Sequence, residues 1–160
     1  MELHTEVEQL LAFYEALARD RGVGLAQSVV ATVSGDRLMI QRALSNLLSS
    51  AIRLTPAGRE VAVAVAEDVE SATVSVTNPG PEIPARHLSR IFERSYRIDP
   101  SRREVEADHA GLGLAIARSI VEMHGGGIRA ESSAGETCFI VTLPRGHTVR
   151  AAPLRAVRSV

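Results

Sequence analysis

Apolar side chains along this chain fall into runs whose period switches between that of a helix and that of a strand. Leu3, Val7, Leu10, Leu11, Tyr14, Leu17 and Ala18 recur at helical spacing, Glu2, Glu6, Glu8 and Arg19 are left mostly to the other face, and Arg21-Gly22 supplies a stop. This predicts an amphipathic helix over residues 3–20. Residues 23–33 are rich in Val and Ala with a polar break at Gln27-Ser28, which suits two short strands or a strand and a turn. Asp36 is placed to cap a second helix, on which Leu38, Met39, Ala43, Leu44, Leu47, Leu48, Ala51 and Ile52 form one apolar stripe before Thr55-Pro56-Ala57-Gly58 ends it. Residues 60–66 and 72–78 read as strands, hairpin neighbours, the second alternating Val74 and Val76 against Ser75 and Thr77. A short helix over 85–92, a long charged loop, a helix over 112–124 closed by Gly125-Gly126-Gly127, and strands over 127–132 and 137–143 complete the pattern. The order predicts an α/β fold, a two-layer α/β sandwich with a mixed sheet and helices packed on one face.

Composition narrows the function classes. A chain of 160 residues is about one domain, read here as residues 1–145 followed by a basic, unpatterned and disordered tail over 146–160 carrying Arg150, Arg155 and Arg158. No apolar run approaches the roughly 18 to 20 residues of a membrane helix, and Met1-Glu2-Leu3-His4 has no signal-peptide character. A formal charge of −1 gives no general attraction for nucleic acid. The single Cys138 excludes an internal disulfide, and its alternating strand predicts a small buried side chain. His4, His87, His124 and His147 show no metal-like or acid–base grouping.

Several segments carry chemistry. Asn46, Ser50 and Arg53 lie at i, i+4 and i+7 and share one helix face. That face is either a solvated side or a floor for a metal-triphosphate, since an amide oxygen is a hard ligand suited to Mg²⁺ and a guanidinium suits phosphate. Asn78-Pro79-Gly80-Pro81 is a turn after a strand. Gly111-Leu112-Gly113-Leu114 opens a helix, where exposed amides and the helix dipole hold phosphate. Between them, Arg94, Arg97, Arg102 and Arg103 interleave with Glu93, Asp99, Glu104 and Glu106 as a mixed charged loop.

Taken in order, these segments and the final Gly135-Glu136-Thr137-Cys138-Phe139 resemble the ATP-binding catalytic domain of two-component sensor histidine kinases, members of the GHKL superfamily with the Bergerat fold and a long ATP lid. The likeness covers about residues 3–144 and is greatest to the heavy-metal, copper or silver, sensor branch. It implies that Asn46 faces Mg²⁺, that Ser50 stands where a second asparagine does so, and that Arg53 reaches a phosphate. It implies that Asn78, with Gly80 and Ile83, receives the adenine amino group, where the family usually has a carboxylate. Phe92 then opens the lid, Arg97 reaches the γ-phosphate, Gly111, Leu112, Gly113 and Leu114 hold phosphates, and the Thr137 hydroxyl supports the adenine contact. Arg97 and Asn46 are the catalytic pair on this reading, and Asn46 is the metal ligand. Leu54, Glu82, Ser95, His109 and Glu136 depart from the family pattern, replacing an aromatic or His, a glycine, an aromatic, a glycine and a glycine.

The implied function is a protein histidine kinase domain that binds ATP and Mg²⁺ and donates the γ-phosphate to a histidine on a separate dimerisation domain, with a response regulator downstream. The resemblance implies no nucleic acid, no direct membrane contact, and a cytoplasmic place within a bacterial inner-membrane protein. His4 does not lie in a phosphoacceptor motif, so the chain reads as a piece of a longer protein. Two other readings stand beside this one: a degenerate, nucleotide-poor domain acting by protein binding, and another ATPase of the superfamily, such as an anti-sigma-type serine kinase or a gyrase-like ATPase. Asn46 disfavours the gyrase type, which needs a glutamate base there.

Overall fold

The computed structural model describes residues 2–29, 35–97 and 112–145. Within them run α1 (Leu3–Asp20), β1 (Gly24–Val29), α2 (Arg37–Leu54), β2 (Glu60–Glu67), β3 (Ser71–Pro79), α3 (Ala85–Leu88), α4 (Gly113–Met123), β4 (Gly127–Ser133) and β5 (Glu136–Pro144). Residues 30–33 of the expected second segment, residues 98–111, on which most of the expected lid falls, and residues 146–160, where a tail is expected, lie outside the described residues.

The sheet has the order β1-β2-β3-β5-β4, with β1 parallel to β2 and the other pairs antiparallel. The two-residue period sends Val61, Val63 and Val65 of β2, Ala72, Val74 and Val76 of β3, and Phe139, Val141 and Leu143 of β5 into the core. Ala62, Ala64 and Ala66 alternate onto the other face and stay exposed. The core face is covered by the α2 stripe Ile40, Ala43, Leu44, Leu47, Leu48, Ala51 and Ile52, and by Ala117, Ile120 and Val121 of α4. Each large apolar side chain so buried contributes about 1.5–3 kcal/mol, which is what holds helix layer to sheet. This is the two-layer mixed α/β architecture that the periodicity predicts.

Asp36 caps α2 as expected, its Oδ1 accepting from the Met39 amide at 3.0 Å. Glu6 departs from the expectation of a polar outer face. It is only 4% exposed, because Arg37 Nε meets its carboxylate at 2.7 Å and the Gln41 amide donates to its other oxygen. With Tyr14 bonded to Ser45, and Arg21 donating to the Arg53 carbonyl at 3.3 Å, these pairs set α1 parallel to α2 along their length. Cys138 is also corrected. It is half-buried on the face away from the helices, where the Thr77 hydroxyl donates to its sulfur at 3.3 Å. The helix expected over 85–92 stops at Leu88, and the chain goes on to Tyr96 in successive turns closed by Arg90 N to His87 O at 2.9 Å and Tyr96 N to Glu93 O at 3.2 Å.

Two tight places fix how α4 meets the sheet and α2. Gly125 closes α4 with φ +75°, and the Gly126 amide returns to the Val121 carbonyl at 2.9 Å. His124 is buried and uses both ring nitrogens: Nδ1 donates to Ile120 O at 2.7 Å, and Nε2 accepts from the Asp36 amide at 3.1 Å. A neutral imidazole protonated at Nδ1 satisfies both bonds, so His124 ties the end of α4 to the start of α2.

The β4–β5 hairpin turns through Ala134 and Gly135, at φ +50° and +77°. Both central residues in the left-handed region is the type I′ pattern, for which Asn-Gly is preferred and a Cβ-bearing alanine costs about 1 kcal/mol. Ala134→Asn is therefore expected to stabilise the domain by roughly 0.5–1 kcal/mol. A chemical denaturation midpoint unchanged or lowered in this variant would refute the turn assignment.

Candidate functional site

Three parts of the fold converge on one end of the sheet. The first is the middle and end of α2. Asn46, Ser50 and Arg53 are all half-buried, so their face is not a simple solvated side. Asn46 lies against the start of α4: a methyl group placed on Gly113 would sit 3.8 Å from both Cβ and Cγ of Asn46. Its Nδ2 is buried with no hydrogen-bond partner. Arg53 folds back on its own helix, donating from Nε to Ser49 O and from Nη2 to Ser49 Oγ, each at 3.3 Å.

The second part is the end of β3 and the turn after it. Register places Asn78 opposite Thr137 of β5, and both are 2% exposed. Asn78 Nδ2 donates to Pro79 O at 3.3 Å, while Asn78 Oδ1 is buried with no partner. An unpaired buried acceptor costs about 1–3 kcal/mol, so it marks a place where an outside donor is wanted. Gly80 follows at φ +155°, its amide held by Gly135 O at 2.9 Å, and a Cβ there would come within 3.1 Å of the Leu54 carbonyl. Only glycine lets the turn approach the end of α2 so closely. Leu54 itself is 51% exposed, an apolar side chain open beside this turn.

The third part is the start of α4. Leu112 stands at its N-cap with no side-chain cap, and among the described residues no side chain caps the first amides of the helix. Gly113 and Leu114 are half-buried there, and Gly111 lies outside the described residues.

Ser132 joins these parts, and the sequence reading missed it. Its hydroxyl accepts from the Ile83 amide at 2.9 Å, lies 3.0 Å from Thr137 Oγ1, and donates toward Glu136 O at 3.2 Å. The buried Ile83 is thereby stitched to the strand that carries Thr137. In the sequence Ser132 is one of two serines before a turn. Only the hairpin pairing, Ser132 opposite Thr137, could have singled it out.

Phe92 and Arg97 lie on the segment that leads from α3 to residue 97. Phe92 is buried, its ring edge-on to Phe139 with centroids 6.4 Å apart, so it anchors this segment in the core. Ser95 adopts φ +62°, a left-handed turn that brings Tyr96 back over α3. There the Tyr96 hydroxyl bonds His87 Nδ1, and the Arg90 guanidinium lies 4.7 Å from the ring centroid. The hydrogen bond and charge of Glu93 raise the Arg90 pKa further. Arg97 follows, exposed.

An orphan acceptor at a strand end, an amide-bearing helix floor and the start of α4 lie together at one end of the sheet, and the chain matches the family described as "Histidine kinase-, DNA gyrase B-, and HSP90-like ATPase" over residues 35–147. It belongs to that family. Among relatives, it is 46% identical over 145 residues to the sensor histidine kinase CusS of Escherichia coli strain K12, a match that takes in 90% of this chain and 30% of CusS. Among solved structures it superposes on the mycobacterial sensor histidine kinase MprB with TM-score 0.76 and 28% identity, over 90% of this chain and 95% of that one. It also superposes on full-length ShkA in complex with AMPPNP, with TM-score 0.76 and 25% identity, over 98% of this chain and 32% of that one. Among the described residues no helix is long and apolar enough to cross a membrane.

Proposed function

We propose that this chain is the ATP-binding catalytic domain of a sensor histidine kinase, receiving Mg-ATP at the site above and presenting the γ-phosphate to a histidine on a separate dimerisation domain. The observation that carries the reading is the buried, partnerless Asn78 Oδ1 at the end of β3, an acceptor placed for an exocyclic amino group. The AMPPNP complex of ShkA and the kinase name of CusS support it.

The roles follow from position. Asn78 accepts from the adenine amino group, with Thr137 beside it and Leu54 offering apolar cover to the base. The uncapped amides of α4 hold phosphate oxygens. Arg53 exchanges its bonds to Ser49 for a phosphate, and Arg97 meets charge developing on the γ-phosphoryl group. The bond from the γ-phosphorus to the bridging oxygen breaks as the acceptor imidazole nitrogen bonds to phosphorus, and ADP leaves with the electron pair.

The residues present fit Mg²⁺ in one particular way. Among the described residues no group of three or more His, Cys, Asp or Glu side chains can cage a metal. The Asn46 amide oxygen and the Ser50 hydroxyl would hold the ion, with phosphate oxygens and water filling its other positions, as Mg²⁺ prefers. When bound, it offsets the triphosphate charge.

Calorimetric titration with a non-hydrolysable ATP analogue tests this reading. The parent chain is expected to bind in a Mg²⁺-dependent way, and Ser50→Asn, which restores a second amide ligand, is expected to tighten the Mg²⁺-dependent part roughly tenfold. A parent chain that fails to bind with Mg²⁺ present would overturn the proposal in favour of a nucleotide-poor, protein-binding domain. Phosphotransfer to a supplied dimerisation domain then separates a histidine kinase from a serine kinase of the same superfamily.

A further inference from the structure

Resting on that nucleotide reading, we infer that the base end of this site is reversible in its hydrogen bonding, so that it takes 6-oxopurine nucleotides as well as adenine nucleotides. A carboxylate at position 78 would only accept. Asn78 carries an acceptor and a donor on one rotatable amide, and a terminal amide torsion is broad and roughly two-fold. One bond fixes its present orientation, from Nδ2 to the carbonyl of the adjacent Pro79, and at 3.3 Å it lies beyond the usual range for N–H···O. Half a turn of the amide presents Nδ2 in place of the partnerless Oδ1.

The neighbouring hydroxyls reverse in the same sense. Ser132 and Thr137 lie 3.0 Å apart, and either can donate to the other. With an adenine base, Ser132 donates to Thr137, whose own proton is free for ring nitrogen N1, while Asn78 Oδ1 accepts from the amino group. With a 6-oxopurine, Asn78 Nδ2 donates to the oxo group and Thr137 accepts from N1–H. The Thr137 proton then goes to Ser132, and the Ser132 proton to Glu136 O, already 3.2 Å away. Ser132 accepts from the Ile83 amide at 2.9 Å in both states, so its position does not change. The hydroxyls and the base-facing atom of Asn78 are paired in both arrangements; the 6-oxo state gives up the long Pro79 bond and turns Asn78 Oδ1 toward the Pro79 carbonyl, which makes it the weaker of the two.

Calorimetry with ATP and inosine triphosphate, both with Mg²⁺, tests this on the parent chain, on Asn78→Asp and on Ser132→Ala. Inosine triphosphate is expected to bind the parent within roughly a hundredfold of ATP. Asn78→Asp is expected to widen that gap to about a thousandfold or more, because a buried carboxylate facing the oxo group has no partner. Ser132→Ala is expected to weaken inosine triphosphate more than ATP, since the Thr137 proton loses its acceptor only in the 6-oxo state. A merely structural Ser132 would weaken both equally, and that result overturns the hydroxyl relay. ATP binding with inosine triphosphate more than about a thousandfold weaker in the parent overturns the whole inference, whether or not the variants fold. A parent that binds neither nucleotide overturns the proposed function, and this inference with it.

Discussion

Asn78→Leu is expected to lower ATP affinity by roughly a hundredfold or more while leaving the domain at least as stable as the parent. Asparagine and leucine are close in shape, and Asn78 is 2% exposed, so the substitution opens little space. It removes a buried oxygen that has no partner in the free protein and whose desolvation costs about 1–3 kcal/mol. The loss of the weak Nδ2 bond to Pro79 O at 3.3 Å offsets only part of that gain. The base, in turn, meets a methyl group where it needs an acceptor. Stability and binding therefore move in opposite or independent directions, as expected of a residue kept for function at a cost to the fold. Calorimetry and thermal melting on one preparation decide it: a lower melting midpoint with ATP binding intact would make Asn78 a structural residue.

Gly126→Ala is expected to produce the largest loss of stability, about 3 kcal/mol or more. A Cβ at this position would lie 2.2 Å from the Thr142 carbonyl oxygen and 3.1 Å from both Leu143 Cδ2 and Val121 Cγ1. The first neighbour is backbone of a paired strand, so it cannot swing aside as a flexible side chain would. Relief requires α4 to lift from the sheet, which also pulls on His124 and its bond to the Asp36 amide. For a chain of this length the melting midpoint should fall by roughly 10 °C. A change of only a degree or two would show that the α4–β4 corner is far softer than its packing indicates.

Much of this was legible along the chain. The first two helices, the β2–β3 hairpin, the fourth helix with its glycine stop and the Asp36 cap all follow from period and punctuation, because a half-buried helix or strand must repeat its apolar residues at its own pitch. The glycine-bearing segments also pointed to the candidate site. Residues whose role lies in a long-range pair were not legible. Glu6 looks like an exposed helix charge until Arg37 and Gln41 of the neighbouring helix enclose it. His124 looks ungrouped until folding brings the Asp36 amide, 88 residues earlier, to its ring. Cys138 was misplaced because alternation gives two faces but does not say which one the helices cover.

The sequence by itself therefore determined most of the helices and strands and the layered class of the fold, since these depend on local spacing, and its glycine and asparagine motifs carried the resemblance to the family. Only the tertiary structure decided that Asn78 Oδ1 is sealed from water without a partner, that Ser132 links Ile83 to Thr137, and that Asn46 lies against Gly113. Whether a polar atom is satisfied depends on which distant groups the fold brings within about 3 Å of it, and that distance is a property of the packed chain.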